Sequence, residues 1–162
     1  RLKTLKPDAG TSLYDAIYLA SPALREREGR HVIVAISDGG DTTSSKKFKD
    51  ALDAAQKADA IFYPVVVVPI TNPAGRNTAG EHALETLAAN TGGRSFYPTV
   101  GAQLDRAFAD ILRDLRTQYL VGYYPARVVT GDGSFHNVRV EIPRRPELRI
   151  STRSGYYGEV AR

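Results

Sequence analysis

The stretch that most constrains the fold of this 162-residue chain is residues 31–43, HVIVAISDGGDTT. It begins with a near-continuous apolar run, residues 32–36, which is typical of a strand covered on both faces in a parallel sheet. The run ends at once in a glycine-rich turn that carries two carboxylates, Asp38 and Asp41. Because ligands of open α/β sheets bind at the carboxyl ends of the strands, this position predicts a binding role for Asp38.

Most of the remaining chain alternates between helical and strand periodicity. Apolar residues recur at helical spacing within residues 13–24, 48–58, 81–90 and 104–115. Short apolar runs predict further strands at residues 61–68 and 94–97. Residues 69–80 read as a long polar loop near the same sheet edge as the Asp38 turn. This alternation is typical of an α/β fold with a parallel sheet.

From residue 119 onward the pattern changes to the two-residue alternation of strands. Residues 119–124, 136–142 and 148–152 are predicted strands, with a turn at residues 130–133. We therefore divide the chain into an α/β part, residues 1–118, and a small antiparallel β extension, residues 119–162. The tyrosines of the extension are expected to pack against the sheet, with an exposed adhesive patch as the alternative.

Charge and composition exclude several classes of function. The net charge of +4 lies mainly in residues 126–162, which hold seven arginines and four acidic residues. Several of these arginines alternate with apolar residues, as on the solvated face of a strand, so no nucleic-acid partner is predicted. No stretch approaches the ~20 apolar residues that span a bilayer. The absence of cysteine excludes disulfides, thiol catalysis and thiolate metal sites.

Two motifs, in this order along the chain, carry a resemblance to a known family. The sequence Gly10-Thr11-Ser12-Leu13 precedes the first predicted helix, and Ile36-Ser37-Asp38-Gly39 ends the apolar strand. They resemble the second and third metal-site motifs of the von Willebrand factor type A domain, and the likeness covers most of the chain. Residues 118–125 and 153–157 resemble the ending of a bacterial, acidobacterial-type subgroup of that family. The resemblance implies a three-layer Rossmann-like sheet in an extracytoplasmic, secreted protein.

The resemblance also implies a metal site. In that family a divalent cation, usually Mg²⁺ with Mn²⁺ or Ca²⁺ as alternatives, is held by a D-x-S-x-S turn, a threonine and an aspartate. By resemblance Thr11 and Asp38 are the threonine and the aspartate. The chain contains no D-x-S-x-S motif and begins at Arg1, so we expect an N-terminally truncated domain. A degenerate domain without a metal is the alternative.

The function that the resemblance implies is a non-catalytic protein-interaction or adhesion module. Its cation would accept a carboxylate from a protein partner. One alternative is an α/β metal-dependent hydrolase or phosphotransfer enzyme that uses Asp38 and Asp41, and another is a metal-free scaffold. The chain has no P-loop, nucleophile elbow or H-E-x-x-H motif to support an enzyme. Its three histidines lack the spacing of zinc ligands.

Each candidate residue also has a purely structural interpretation. Thr11 or Ser12 could cap the first helix, because Ser12-x-x-Asp15 matches a capping box. Asp38, which precedes two glycines, could form an Asx turn. Asp41 is expected to be a solvated carboxylate, and the alternative is that it supports the turn or a water molecule beside the metal.

A missing central strand would leave the strand at residues 32–36 with an unpaired edge, which is a liability for solubility. We therefore expect residues 1–162 on their own to be poorly stable. Thermal unfolding followed by circular dichroism checks this expectation, and a sharp cooperative transition with native-like stability would contradict it.

Overall fold

A computed structural model of the chain describes residues 10–67, 77–125, 133–145 and 147–158. Most of the predicted loop at residues 69–80 and of the turn at residues 130–133 lies outside these ranges. The described part is a mixed α/β structure with four helices, a parallel strand pair and a separate antiparallel pair. In chain order the elements are α1 (Leu13–Arg25), β1 (His31–Ser37), α2 (Phe48–Lys57), β2 (Ala60–Val66), α3 (Thr78–Thr91), α4 (Gly101–Thr117), β3 (Phe135–Asn137) and β4 (Gly155–Tyr157).

The predicted helices and the first two strands are confirmed, but the later strands are not. Residues 94–97 form only an isolated bridge between Val65 and Phe96. The strand predicted at residues 136–142 is reduced to β3, and residues 119–124 and 148–152 form no strand. Alternation of apolar and polar residues indicates how the side chains of a strand would divide between the two faces of a sheet. A strand also needs a neighbouring strand that accepts and donates its backbone hydrogen bonds. The predictions failed where the described residues supply no such partner.

The parallel pair β1 and β2 is the centre of the fold. Its register runs from His31 opposite Ala60 to Ser37 opposite Val66. Helix α2 lies in the crossover between the two strands, as parallel pairing requires. Among the described residues β1 pairs only with β2, so the other edge of β1 has no strand beside it.

Helices pack on both faces of this strand pair. On one face Ile33 and Phe62 belong to a core with residues of α1, α2 and α3. On the other face Tyr63 and Val65 pack with residues of α4. Nearly all of β2 is buried, whereas β1 is only partly covered, and Val34 and Ile36 are exposed. The prediction that residues 32–36 are covered on both faces is therefore wrong at these two positions, because on this face α4 packs on Tyr63 and Val65 of β2 and does not cover Val34 and Ile36.

The antiparallel pair β3 and β4 is attached to the α/β part by specific polar contacts. The hydroxyl of Tyr157 donates a hydrogen bond to Asp53 of α2 at 2.7 Å, and the backbone of Ser154 donates to the Asn90 carbonyl at 3.1 Å. Burial and the neighbouring Asp53 carboxylate raise the pKa of Tyr157 to about 12. Tyr119 and Tyr124, in contrast, are almost fully exposed, so the prediction that they pack against the sheet is wrong.

His31 fastens the start of β1 to the ends of two helical segments. Its Nε2 lies 2.9 Å from the Arg27 carbonyl oxygen, and its Nδ1 lies 2.5 Å from the Ala58 carbonyl oxygen. Only the protonated imidazolium can donate to both oxygens at once. These contacts raise the pKa of His31 above its ordinary value of 6.5.

The contacts of His31 predict a pH-dependent contribution to stability. Since the pKa of His31 is raised in the folded state, its contribution is complete below the unfolded pKa and is lost as the pH rises through the folded pKa. We expect His31→Gln to lower Tm more at pH 5 than at pH 8, as measured by differential scanning calorimetry. An equal loss of Tm at both pH values would contradict this role.

Candidate functional site

Three segments meet at the carboxyl end of β1. They are residues 10–12 before α1, residues 38–45 after β1 and residues 77–80 at the start of α3, and we refer to them together as the strand-end loops. The first two are joined by backbone contacts, because Thr42 N donates to the Thr11 carbonyl at 2.8 Å. The second and third are in direct contact at Gly39 and Gly80. Residues 77–80, the described end of the loop predicted at residues 69–80, thus lie beside the Asp38 turn, as the sequence predicted.

Thr11 is an exposed residue whose backbone is fixed by the loop after β1. Its N–H donates to Thr42 Oγ1 at 2.8 Å, and its carbonyl also accepts from Thr43 N at 3.2 Å. Ser12 occupies the N-cap position of α1, but its side chain makes no capping bond and lies 2.7 Å from Thr43 Oγ1. The capping-box interpretation of Ser12 and Asp15 is therefore wrong.

Asp41, which lies in the loop after β1, caps the N-terminus of α1 in place of Ser12. Its Oδ2 accepts hydrogen bonds from Tyr14 N at 2.8 Å and from Ser44 Oγ at 2.6 Å. Partial burial raises the pKa of Asp41, but the hydrogen bonds from Ser44 and Tyr14 outweigh this effect, so the pKa lies below its usual value. A carboxylate at a helix N-terminus also interacts favourably with the helix dipole. The expectation that Asp41 is a solvated carboxylate is wrong.

Asp15 makes the converse contact, from α1 back to the loop after β1. Its carboxylate accepts from Ser45 N at 3.0 Å and from Lys46 N at 2.8 Å. These backbone hydrogen bonds lower its pKa. Sequence reasoning missed the positioning roles of Asp15 and Asp41 because each partner lies about thirty residues away, at separations of 27 to 31. No local spacing signals such pairs.

Asp38 is exposed at the point where β1 ends. Its Oδ1 accepts from Gly40 N at 3.0 Å, which is the Asx turn that was one of the two interpretations of this residue. Within the part of the chain that the structure describes, Asp38 Oδ2 has no hydrogen-bond partner. The turn therefore orients the carboxylate and occupies only one of its two oxygens.

Backbone contact between Gly39 and Gly80 sets the distance between the loop after β1 and α3. Gly39 has a left-handed φ of 84°, and a Cβ built on it would lie 2.3 Å from the Gly80 carbonyl carbon. A Cβ on Gly80 would lie 2.2 Å from the Gly39 oxygen. Asn77 caps α3 by accepting from Gly80 N at 2.9 Å, so the first turn of α3 is ordered beside the loop.

The structure thus places Thr11 and Asp38 in adjacent loops, but their described contacts go to different residues. Thr11 contacts Thr42 and Thr43, whereas Asp38 contacts Gly40. Among residues 10–67, 77–125, 133–145 and 147–158, no three His, Cys, Asp or Glu side chains form a group able to hold a metal. The three histidines lie on β1, α3 and β3.

Comparisons with known proteins do not assign the chain to a family. No protein-family model matches it. No curated protein matches it. None of the described helices is long and apolar enough to cross a membrane. The chemistry of the strand-end loops therefore carries the functional argument.

The contact between Gly39 and Gly80 predicts that Gly80→Ala is strongly destabilising. The added methyl group would enter the space of the Gly39 backbone, and overpacking of this kind costs ~1–3 kcal/mol. Gly101→Ala is the matched control, because Gly101 also lies in the first turn of a helix but has open space around it. We expect chemical denaturation to show a loss of stability for Gly80→Ala and no loss for Gly101→Ala. Equal effects of the two substitutions would contradict the close approach.

Proposed function

We propose that this chain is a non-catalytic protein-interaction module of the von Willebrand factor A type, whose strand-end loops hold a divalent cation that binds a carboxylate of a protein partner. The observation that carries the proposal is the position of Thr11 and Asp38. Both are exposed, and both lie on loops that hydrogen bonds fasten to each other or to α1. Such loops hold their backbone in place while leaving side-chain oxygens open to solvent.

The donor atoms suit a hard cation. Mg²⁺ prefers oxygen ligands and keeps several waters, so a hydroxyl from Thr11 and a carboxylate oxygen from Asp38 are suitable ligands. The same atoms also suit Mn²⁺ and Ca²⁺. Further protein ligands would come from a D-x-S-x-S turn, which this sequence does not contain. When bound, the cation would supply a positive charge that attracts an acidic side chain of the partner.

The arrangement of the elements supports the wider family proposal. Parallel strands joined by a helix, with further helices packed on both faces, fit a three-layer Rossmann-like sheet. We extend the proposal to the division after residue 118, which follows from the change to strand-like alternation at residue 119. An extracytoplasmic location, which the family resemblance implies, is also part of the proposal.

The contacts of Asp41 favour this proposal over an enzyme with a paired-carboxylate site. A hydrolase or phosphotransferase of that kind would need Asp38 and Asp41 to share a metal. Asp41 Oδ2 already accepts from Tyr14 and Ser44, and Oδ1 accepts from Ser44 N at 3.2 Å. Releasing Asp41 for catalysis would remove the cap of α1. We therefore assign Asp41 a positioning role and leave cation contact to Asp38.

Paramagnetic line broadening by Mn²⁺ tests the proposal even when binding is weak. We expect Mn²⁺ to broaden the amide signals of residues 10–12 and 38–42 first. Asp38→Ala should lower the apparent affinity for Mn²⁺, measured from this broadening, at least tenfold. Thr11→Ala should lower that affinity by a smaller factor. Asp105→Ala, which removes an exposed carboxylate from α4, is the control and should leave the broadening unchanged.

Three results would overturn the cation proposal. Broadening centred on other residues, or unaffected by Asp38→Ala, would place cation binding elsewhere. No selective broadening at millimolar Mn²⁺ would favour the metal-free scaffold.

A further inference from the structure

An open groove lies between α1 and α2 and is lined by residues outside the strand-end loops. We call it the α1–α2 groove. It has a volume of about 340 Å³, which is within the range of small-ligand pockets. Its lining combines small apolar residues, an aromatic ring and four charged side chains: Pro22, Ala54, Ala58, Tyr18, Arg25, Asp50, Asp53 and Lys57. Charges of both signs therefore line the same groove.

The two helices that form the groove run side by side in the same direction. At their starts, Asp15 in the first turn of α1 accepts from Lys46 N, just before α2, at 2.8 Å. At their ends, His31 contacts the Arg27 carbonyl after α1 and the Ala58 carbonyl after α2. The groove therefore has one end near the helix N-termini and the other near the helix C-termini.

The charges of the groove are separated along this direction. Asp50 lies in the first turn of α2, and Asp53 lies about one turn further on. Arg25 and Lys57 lie in the last turns of α1 and α2. At a rise of ~1.5 Å per residue, Asp50 and Lys57 are ~10 Å apart along the helix. The groove is therefore acidic at one end and basic at the other.

Tyr157 of β4 contacts two of these charged side chains. Its hydroxyl donates to Asp53 Oδ1 at 2.7 Å, and the Lys57 ammonium lies 5.0 Å from the centre of its ring. The helix dipole favours basic residues in a last turn, but it does not account for this double contact from another element. The β3–β4 pair therefore holds one acidic and one basic group of the groove in place.

Pro22 adds a hydrogen-bond acceptor to the groove. It lies inside α1 and has no N–H, so it cannot donate the helical hydrogen bond to the carbonyl of Tyr18, four residues before it. Tyr18 and Pro22 both line the groove. The Tyr18 carbonyl is therefore available to an N–H group of a ligand.

We propose that the α1–α2 groove binds a peptide of three residues with free termini. An extended residue spans ~3.3–3.6 Å, so the two terminal charges of such a peptide match the separation of the charges in the groove. The ammonium group lies at Asp50 and Asp53, and the carboxylate lies at Arg25 and Lys57. The Tyr18 carbonyl accepts one of the peptide N–H groups. None of these residues takes part in the proposed cation site, so the two proposals are independent.

Titration with trialanine tests the proposal, with binding followed by amide chemical shifts in the presence of EDTA so that no divalent cation contributes. We expect the largest shifts in residues 18–25 and 50–58. Acetylation of the peptide's amino terminus removes the ammonium charge, and amidation of its carboxyl terminus removes the carboxylate charge. Each single cap should lower the affinity at least threefold, and both caps together should lower it at least tenfold.

Charge variants test the direction in which the peptide lies. In Arg25→Gln/Lys57→Gln, trialanine and its amide should bind equally, whereas the acetylated peptide should still bind more weakly than trialanine. Tyr157→Phe keeps the ring beside Lys57 but removes the hydroxyl bound to Asp53, so it should lower the affinity by a smaller factor than the double variant does. Lys49→Gln removes an exposed charge of α2 outside the groove and is the control. Circular dichroism should show unchanged helix content in all these variants.

Any of several results would overturn the peptide proposal. Shifts that are absent at millimolar trialanine, or centred outside α1 and α2, would exclude the groove as the binding site. Equal affinities for free and doubly capped trialanine would exclude recognition of the termini. A preference for trialanine over its amide that persists in Arg25→Gln/Lys57→Gln would place the carboxylate elsewhere. Loss of trialanine binding in Asp38→Ala would assign the peptide to the strand-end loops instead.

Discussion

The parallel pairing of β1 with β2 is the constraint on which the rest of the structure depends. Its register places Ser37 opposite Val66, so the loop that carries Asp38 begins at a defined position at the carboxyl end of the sheet. The buried side chains of β2 alternate between the two core clusters and hold helices against both faces. A shift of one residue in this register would exchange the two faces and expose the core. The sheet therefore positions the candidate site together with the loop contacts.

Above the sheet, carboxylates rather than apolar contacts hold the loops in place. Asp41 binds the start of α1 from the loop after β1, and Asp15 binds that loop from α1. Together they form two reciprocal links between the same pair of segments. Because each carboxylate accepts backbone N–H groups that have no helical or strand partner, the links satisfy the loop without burying apolar area. This arrangement leaves Asp38 and Thr11 exposed on a rigid support.

The sequence predicted the elements whose information is local and missed those that depend on distant partners. The helices and the strand at residues 32–36 were predicted because a helix bonds within itself and because that run is strongly apolar. The position of Asp38 at a strand end followed from the same run. The roles of Asp41 and Asp15 could not be predicted, since their partners lie about thirty residues away in sequence. The close approach of Gly39 to Gly80 could not be predicted either, because these two residues are also far apart in the sequence.

The failed strand predictions have a common physical cause. Residues 119–124 carry the composition of a strand, but strand formation requires backbone partners as well as composition. Residues 32–36 met that requirement through β2, which is their one strand partner among the described residues. Residues 94–97 met it only at Phe96, whose N–H donates to the Pro64 carbonyl and whose carbonyl accepts from Val66 N. Strand-like composition in this chain therefore predicts a strand only where the rest of the described fold supplies a backbone partner.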